Sequence, residues 1–288
     1  TFTMDALPGT PQIQNIIPTT FFGTDTWAAP VLGTLGSVFI LILGMLYLES
    51  RRRAALEAGE GYGDAASLAN EPAPFAGGKL VSPMIAVLPL LVVGIVNKLL
   101  TLWIPAIYGD THSFDPAVIG SAAPVVQEVS KFAAIWAVQG ALLAGIACVL
   151  VFAWKPVTTS FAEGSKSAIG GALLAAMNTA SEYGFGAVIA ALPGFLVVAN
   201  ALGAIPNPLV NQAVTVTALA GITGSASGGM SIALAAMAET FIVNANAAGI
   251  PMEVLHRVAA MASGGMDTLP HNGAVITLLA VTGLTHRQ

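Results

Sequence analysis

Apolar runs of about 20 residues, the length a bilayer core asks of a helix, recur along this chain and are separated by short polar stretches. The first, 27–49, carries an aromatic near each end, Trp27 and Tyr47, as interfacial anchors do. It abuts Arg51, Arg52 and Arg53, and arginines beside a span place that end in the cytoplasm. Residues 50–82 lack apolar periodicity and read as a cytoplasmic loop. A second span, 83–108, returns outward with Asn97 and Lys98 in its interior. The long stem of Lys98 lets its charge snorkel to the interface; the competing reading is a counter-ion within the bundle. An outside loop at 109–131 leads to a third span, 132–154, and Lys155 and Lys166 flank a cytoplasmic connection. The opening 26 residues, punctuated by Pro8, Pro11 and Pro18, read as a loop or re-entrant piece.

Beyond residue 167 the texture changes. Apolar sequence is interrupted at 178–184 (NTASEYG), 221–229 (GITGSASGG) and 263–273 (SGGMDTLPHNG). Lipid offers no hydrogen bonds, so irregular backbone at membrane depth must be covered by protein or line a polar cavity. Three breaks within 167–284 therefore predict a shared polar interior. A half-helix that starts after a break directs free N–H groups and the positive end of its dipole there, an arrangement that attracts carboxylates. The fold class expected is an all-α membrane protein with broken helices, as in secondary transporters.

Composition agrees. Hydrophobic residues are 55% of the chain and charged residues 9%, too few charges to cover a soluble protein of this size. A net charge of −5 gives no basic surface for nucleic acid. Cys148 is the single cysteine, which rules out an internal disulfide and a cysteine metal cluster. The sequence holds no metalloprotease or phosphate-loop motif and no serine nucleophile elbow. We expect no cofactor, no metal and no enzymatic activity. The chain opens on Thr1 and reads as a fragment of a longer protein, a single transmembrane domain over 1–288.

The breaks carry the candidate chemistry. Thr223, Ser225 and Ser227 lie among glycines that include Gly224 and Gly228, a cradle for substrate or ion; the competing reading is close packing of small residues. Asp267 and His271, four apart beside Pro270, would share a face if helical. Ionisable groups at this depth are functional by default, and histidine titrates near neutral pH. The competing reading is a structural pair that holds the break together. Thr268 and Asn272 suit sugar hydroxyls. At the third break Asn178, Thr179 and Ser181 surround Glu182, a proton carrier or a carboxylate near the water interface. Glu182, Asp267 and His271 are the candidates for proton coupling.

The three break sequences, with LPGTPQIQN at 7–15, closely resemble motifs of the gluconate permease (GntP) family. The resemblance covers nearly the whole chain. It implies an inverted-repeat fold with re-entrant hairpins, of which this chain would hold one repeat plus flanking spans. One hairpin would run from 206 to about 244 with its tip at 224–229, and a broken span would occupy 258–284. It further implies proton-coupled uptake of gluconate or a related sugar acid or hydroxy acid across the bacterial inner membrane, by a multi-pass protein that is often a homodimer. The alternative is an anion channel or passive pore, since channels also use broken helices.

Overall fold

Pro30, Pro83, Pro193 and Pro208 each open a helix, the position where the missing N–H has no partner to lose. The computed structural model describes residues 6–60, 82–120, 122–159, 161–282 and 284–287. The helices are α1 (Ile13–Phe22), α2 (Pro30–Glu57), α3 (Pro83–Tyr108), α4 (Pro116–Ile119), α5 (Val129–Phe152), α6 (Trp154–Thr159), α7 (Phe161–Ala190), α8 (Pro193–Gly203), α9 (Pro208–Thr223), α10 (Ala226–Ala247), α11 (Met252–Ser263) and α12 (Gly273–Thr282). Of these, α2, α3, α5 and α10 are long and apolar enough to cross a membrane. The first three expose large apolar side chains, among them Leu35, Phe39, Leu90, Leu102 and Leu143. Water penalises such a surface and lipid accepts it. The chain has a helical membrane-protein fold.

Three local features depart from the pattern-based expectation. Helix α2 runs eight residues past 49, because Glu49 pairs with Arg52 at 2.7 Å and Arg53 at 2.8 Å one turn on, spacings that favour helix. Residues 61–81 of the expected loop lie outside the described residues. The 109–131 loop contains an antiparallel strand pair, β1 (Thr111–Phe114) and β2 (Val125–Glu128), with Thr111 opposite Glu128 and Phe114 opposite Val125. Threonine, valine and phenylalanine suit strands, but four-residue runs give too little alternation to register against long apolar helices. Finally, α7 is continuous through 178–184. Asparagine, threonine, serine and glutamate cost a helix only tenths of a kcal/mol each, and one glycine about 1 kcal/mol. The interruption falls instead at Ala191 and Leu192, ahead of Pro193.

Helices α3 and α5 pack along their length. Gly140 meets Leu100 and Gly145 meets Val93, so small residues admit the neighbour's side chains. A second body joins α1, α9, α10 and α11 around Val216, Leu219, Met230, Leu234, Phe241 and Leu255. Within it, both ends of the Gln212 amide and the Thr215 hydroxyl are buried without a hydrogen-bond partner among the described residues. Each unmet buried polar group costs about 1–3 kcal/mol. Gln212→Met keeps the volume and removes the amide, so it should raise the melting temperature by roughly 2–4 °C per kcal/mol recovered. A fall in melting temperature would show that a polar partner holds the amide.

Candidate functional site

Helix α9 ends at Thr223, and Gly224 turns the chain with φ +67°, a conformation that favours glycine. Ser225 then caps α10, its Oγ accepting the Gly228 N–H at 3.1 Å. The two helices form a tight hairpin: a Cβ on Gly229 would overlap the Cα and N of Ala220. This is the turn expected at 224–229. Thr223 spends its hydroxyl proton on the Leu219 carbonyl, at 2.8 Å, so it offers only lone pairs. Ser227 is buried, and its hydroxyl makes no hydrogen bond among the described residues.

Helix α11 stops at Ser263, a 3₁₀ turn covers Gly264–Met266, and helix resumes at Gly273. Asn272 organises the gap. Its Oδ1 accepts the Ala274 N–H at 2.8 Å, and its Nδ2 donates to Asp267 Oδ1 at 2.9 Å. Asp267 and His271 therefore do not stack on one helical face, because the segment between them is turn. His271 points elsewhere: its Nε2 lies 2.8 Å from the Gly221 carbonyl oxygen. A carbonyl only accepts, so Nε2 carries the proton and Nδ1 is the nitrogen left to take another.

The two breaks are thus one locus. Besides the His271–Gly221 bond, the Gly273 N–H donates to the Gly224 carbonyl at 3.1 Å, and the Thr217 hydroxyl donates to the Ala262 carbonyl at 2.8 Å. The Gly273 and Ala274 N–H groups, which open α12, are spent on the Gly224 carbonyl and on Asn272 Oδ1. The polar side-chain groups of the two breaks without a hydrogen bond among the described residues are the Ser227 and Thr268 hydroxyls and His271 Nδ1. The 178–184 segment does not join this locus as a break. Ser181 is exposed on α7, and the side chains of Asn178, Thr179 and Glu182 lie outside the described ones.

A second polar cluster gave no sequence signal. Arg257 is fully buried on α11 and ties down the N-terminal segment. Its guanidinium donates to Ala28 O at 2.7 Å, to Ala6 O at 3.0 Å and to Asn15 Oδ1 at 3.0 Å. Asn15 Nδ2 donates to Thr10 O and Thr26 O, both at 3.0 Å. Its Oδ1 therefore accepts from His256 Nε2, at 3.2 Å, and Thr24 donates to His256 Nδ1 at 2.7 Å. With Nε2 donating and Nδ1 accepting, the ring is neutral in this arrangement. Trp27 also faces inward, its indole N–H donating to Asn97 Oδ1 at 3.0 Å, where the sequence suggested an interfacial anchor. Long-range contacts such as Arg257 to Ala6 leave no local pattern to read.

Comparison with known proteins finds one curated relative in Bacillus subtilis (strain 168), described as the uncharacterized transporter YxjC. It is 56% identical over 296 residues, an alignment covering all of this chain and 62% of the relative. The chain thus spans less than two thirds of that protein's length. No family model and no solved structure matches the chain.

Proposed function

We propose that the chain forms part of a secondary active transporter that moves a small hydroxylated carboxylate, gluconate or a related sugar acid or hydroxy acid, together with protons across the bacterial inner membrane. The motif resemblance to gluconate permeases supports this reading, as does the transporter description of the Bacillus relative. The observation that carries it is the meeting of two helix breaks through the His271–Gly221 and Gly273–Gly224 hydrogen bonds. Broken helices that abut make a polar locus in an apolar bundle, which is how transporters build midplane sites. In this reading Ser227 and Thr268 bind substrate hydroxyls, and Asp267 and His271 Nδ1 exchange the proton. On α7, Glu182 is a further proton candidate, and Asn178, Thr179 and Ser181 are further substrate-binding candidates. Protonation of His271 Nδ1 leaves its Nε2 bond to Gly221 intact, so the proton can come and go without dissolving the contact.

The test is gluconate uptake by the intact protein in membrane vesicles with an imposed proton gradient. His271→Ala and Asp267→Ala are expected to abolish gradient-driven accumulation, and Ser227→Ala to weaken apparent affinity by roughly tenfold, the worth of one good hydrogen bond. Wild-type accumulation in all three would sink the assignment. Flux that persists after the gradient is dissipated would make the protein a passive pore.

A further inference from the structure

Two turns far apart in the chain share a sequence. Met4-Asp5-Ala6-Leu7-Pro8 is matched by Met266-Asp267-Thr268-Leu269-Pro270, and Gly9-Thr10 stands where His271-Asn272 follows the second copy. The turns also close alike. Thr10 Oγ1 donates to the Leu7 carbonyl at 3.0 Å, and at the same spacing the Asn272 N–H donates to the Leu269 carbonyl at 2.9 Å. Each leads into a short helix, α1 or α12, of 10 residues. Matching interrupted segments in two parts of one membrane chain mark a binding region built from internal repeats.

The two copies differ in what they leave open. Helix α12 spends its first N–H groups on the Gly224 carbonyl and on Asn272. Helix α1 does not. Gln12, at its N-cap, makes no side-chain cap, and the Ile13 and Gln14 N–H groups make no hydrogen bond among the described residues. Such groups carry the positive end of the helix dipole and take a carboxylate. Gln14 adds a second, independent sign. It is 9% exposed, and its buried Oε1 has no hydrogen-bond partner among the described residues. A buried acceptor left unmet asks for a donor. An ammonium is repelled by the positive helix end, so the donor that suits the place is a neutral hydroxyl. N–H groups and an acceptor in one helical turn thus select a ligand with both a carboxylate and a hydroxyl. Helix α1 packs on α10 and α11, the helices that border the meeting of the two breaks.

We propose that the start of α1 is the carboxylate end of a hydroxy-acid site: the Ile13 and Gln14 N–H groups hold the carboxylate, and Gln14 Oε1 accepts a hydroxyl proton of the same ligand. Gluconate as that ligand rests on the transport reading above. The two turns then have separate tasks. Gly9 replaces His271 in the match, so the turn before α1 binds the anion and the turn before α12 handles the proton.

The experiment is calorimetric titration of the intact protein in lipid nanodiscs with gluconate and with its neutral counterpart glucitol, beside proton-driven gluconate uptake in vesicles. Saturable binding of gluconate and none of glucitol are expected. Gln14→Glu keeps the acceptor but sets a negative charge against the carboxylate, and it should weaken gluconate binding by at least about tenfold, as loss of a charge-assisted bond does. Gln14→Met removes the acceptor and should weaken binding roughly three- to tenfold. The empty Gln14→Met protein should melt no lower than wild type, because an unmet acceptor contributes no stability. Weaker binding accompanied by a lower melting temperature in Gln14→Met makes Gln14 a structural residue and overturns the site. Wild-type affinity in both variants, or no binding of gluconate to the wild type, also overturns it. Uptake lost in His271→Ala but kept with wild-type KM in both Gln14 variants overturns the site and leaves transport standing. Binding that meets these expectations without any uptake overturns transport and leaves the site standing.

Discussion

Arg257→Met should release the N-terminal segment from the rest of the molecule and lower stability by about 3–5 kcal/mol. The guanidinium is fully buried and serves the Ala6 and Ala28 carbonyls and Asn15 at once. Methionine fills the space but donates nothing, so the carbonyls remain dehydrated and unmet. The loss spreads to its neighbour, because Asn15 Oδ1 would keep only His256. Arg257→Lys should recover part of the loss, since an ammonium donates to fewer acceptors and in a different geometry. Limited proteolysis reads the result directly: cleavage within residues 6–29 should accelerate in the methionine variant well below the temperature at which α3 and α5 unfold. A variant as resistant as wild type would mean that apolar packing of α1 alone fixes the segment.

The second large effect is expected at Gly229. A methyl group there would overlap backbone atoms of Ala220, and backbone cannot swing aside as a side chain does. Gly229→Ala must therefore separate α9 from α10, at a cost of about 1–3 kcal/mol or more. The damage is also positional. The Gly221 and Gly224 carbonyls hold His271 and Gly273, so a spread hairpin parts the two breaks. Gly44→Ala is the control, for Gly44 has open space around its Cα and alanine is the better helix former. Gly229→Ala should show both a lower melting temperature and lost gluconate uptake, while Gly44→Ala changes neither for the worse. Normal uptake in Gly229→Ala would dissociate the hairpin's close packing from the site.

How much of this was readable in advance divides along physical lines. The span over 83–108 is legible because hydrophobic length is a property of consecutive residues, and Pro83 marks its start. The turns at Gly224 and at 264–272 are legible because glycine with polar residues ends helices whatever surrounds them. The 178–184 motif misleads by the same standard: its residues are polar but tolerate helix, and α7 passes through. The Arg257 cluster was invisible, since it depends on which distant carbonyls the folded chain brings to one guanidinium. Lys98 was visible as a charge in a span, but its direction toward Trp27 was not, because a single residue does not reveal which face of its helix meets protein.

The contact between Arg257 and Ala6 joins residues 251 apart in the chain. At about 5–20 residues per second, ribosomes need roughly 10–50 s to travel that distance. For all of that time the opening segment is already made and its anchor is not. Asn15, which ends with both amide hydrogens and its oxygen engaged, must wait in water or at the membrane surface. The segment is therefore seated only after α2 to α10 have been made, by a residue that follows all of them.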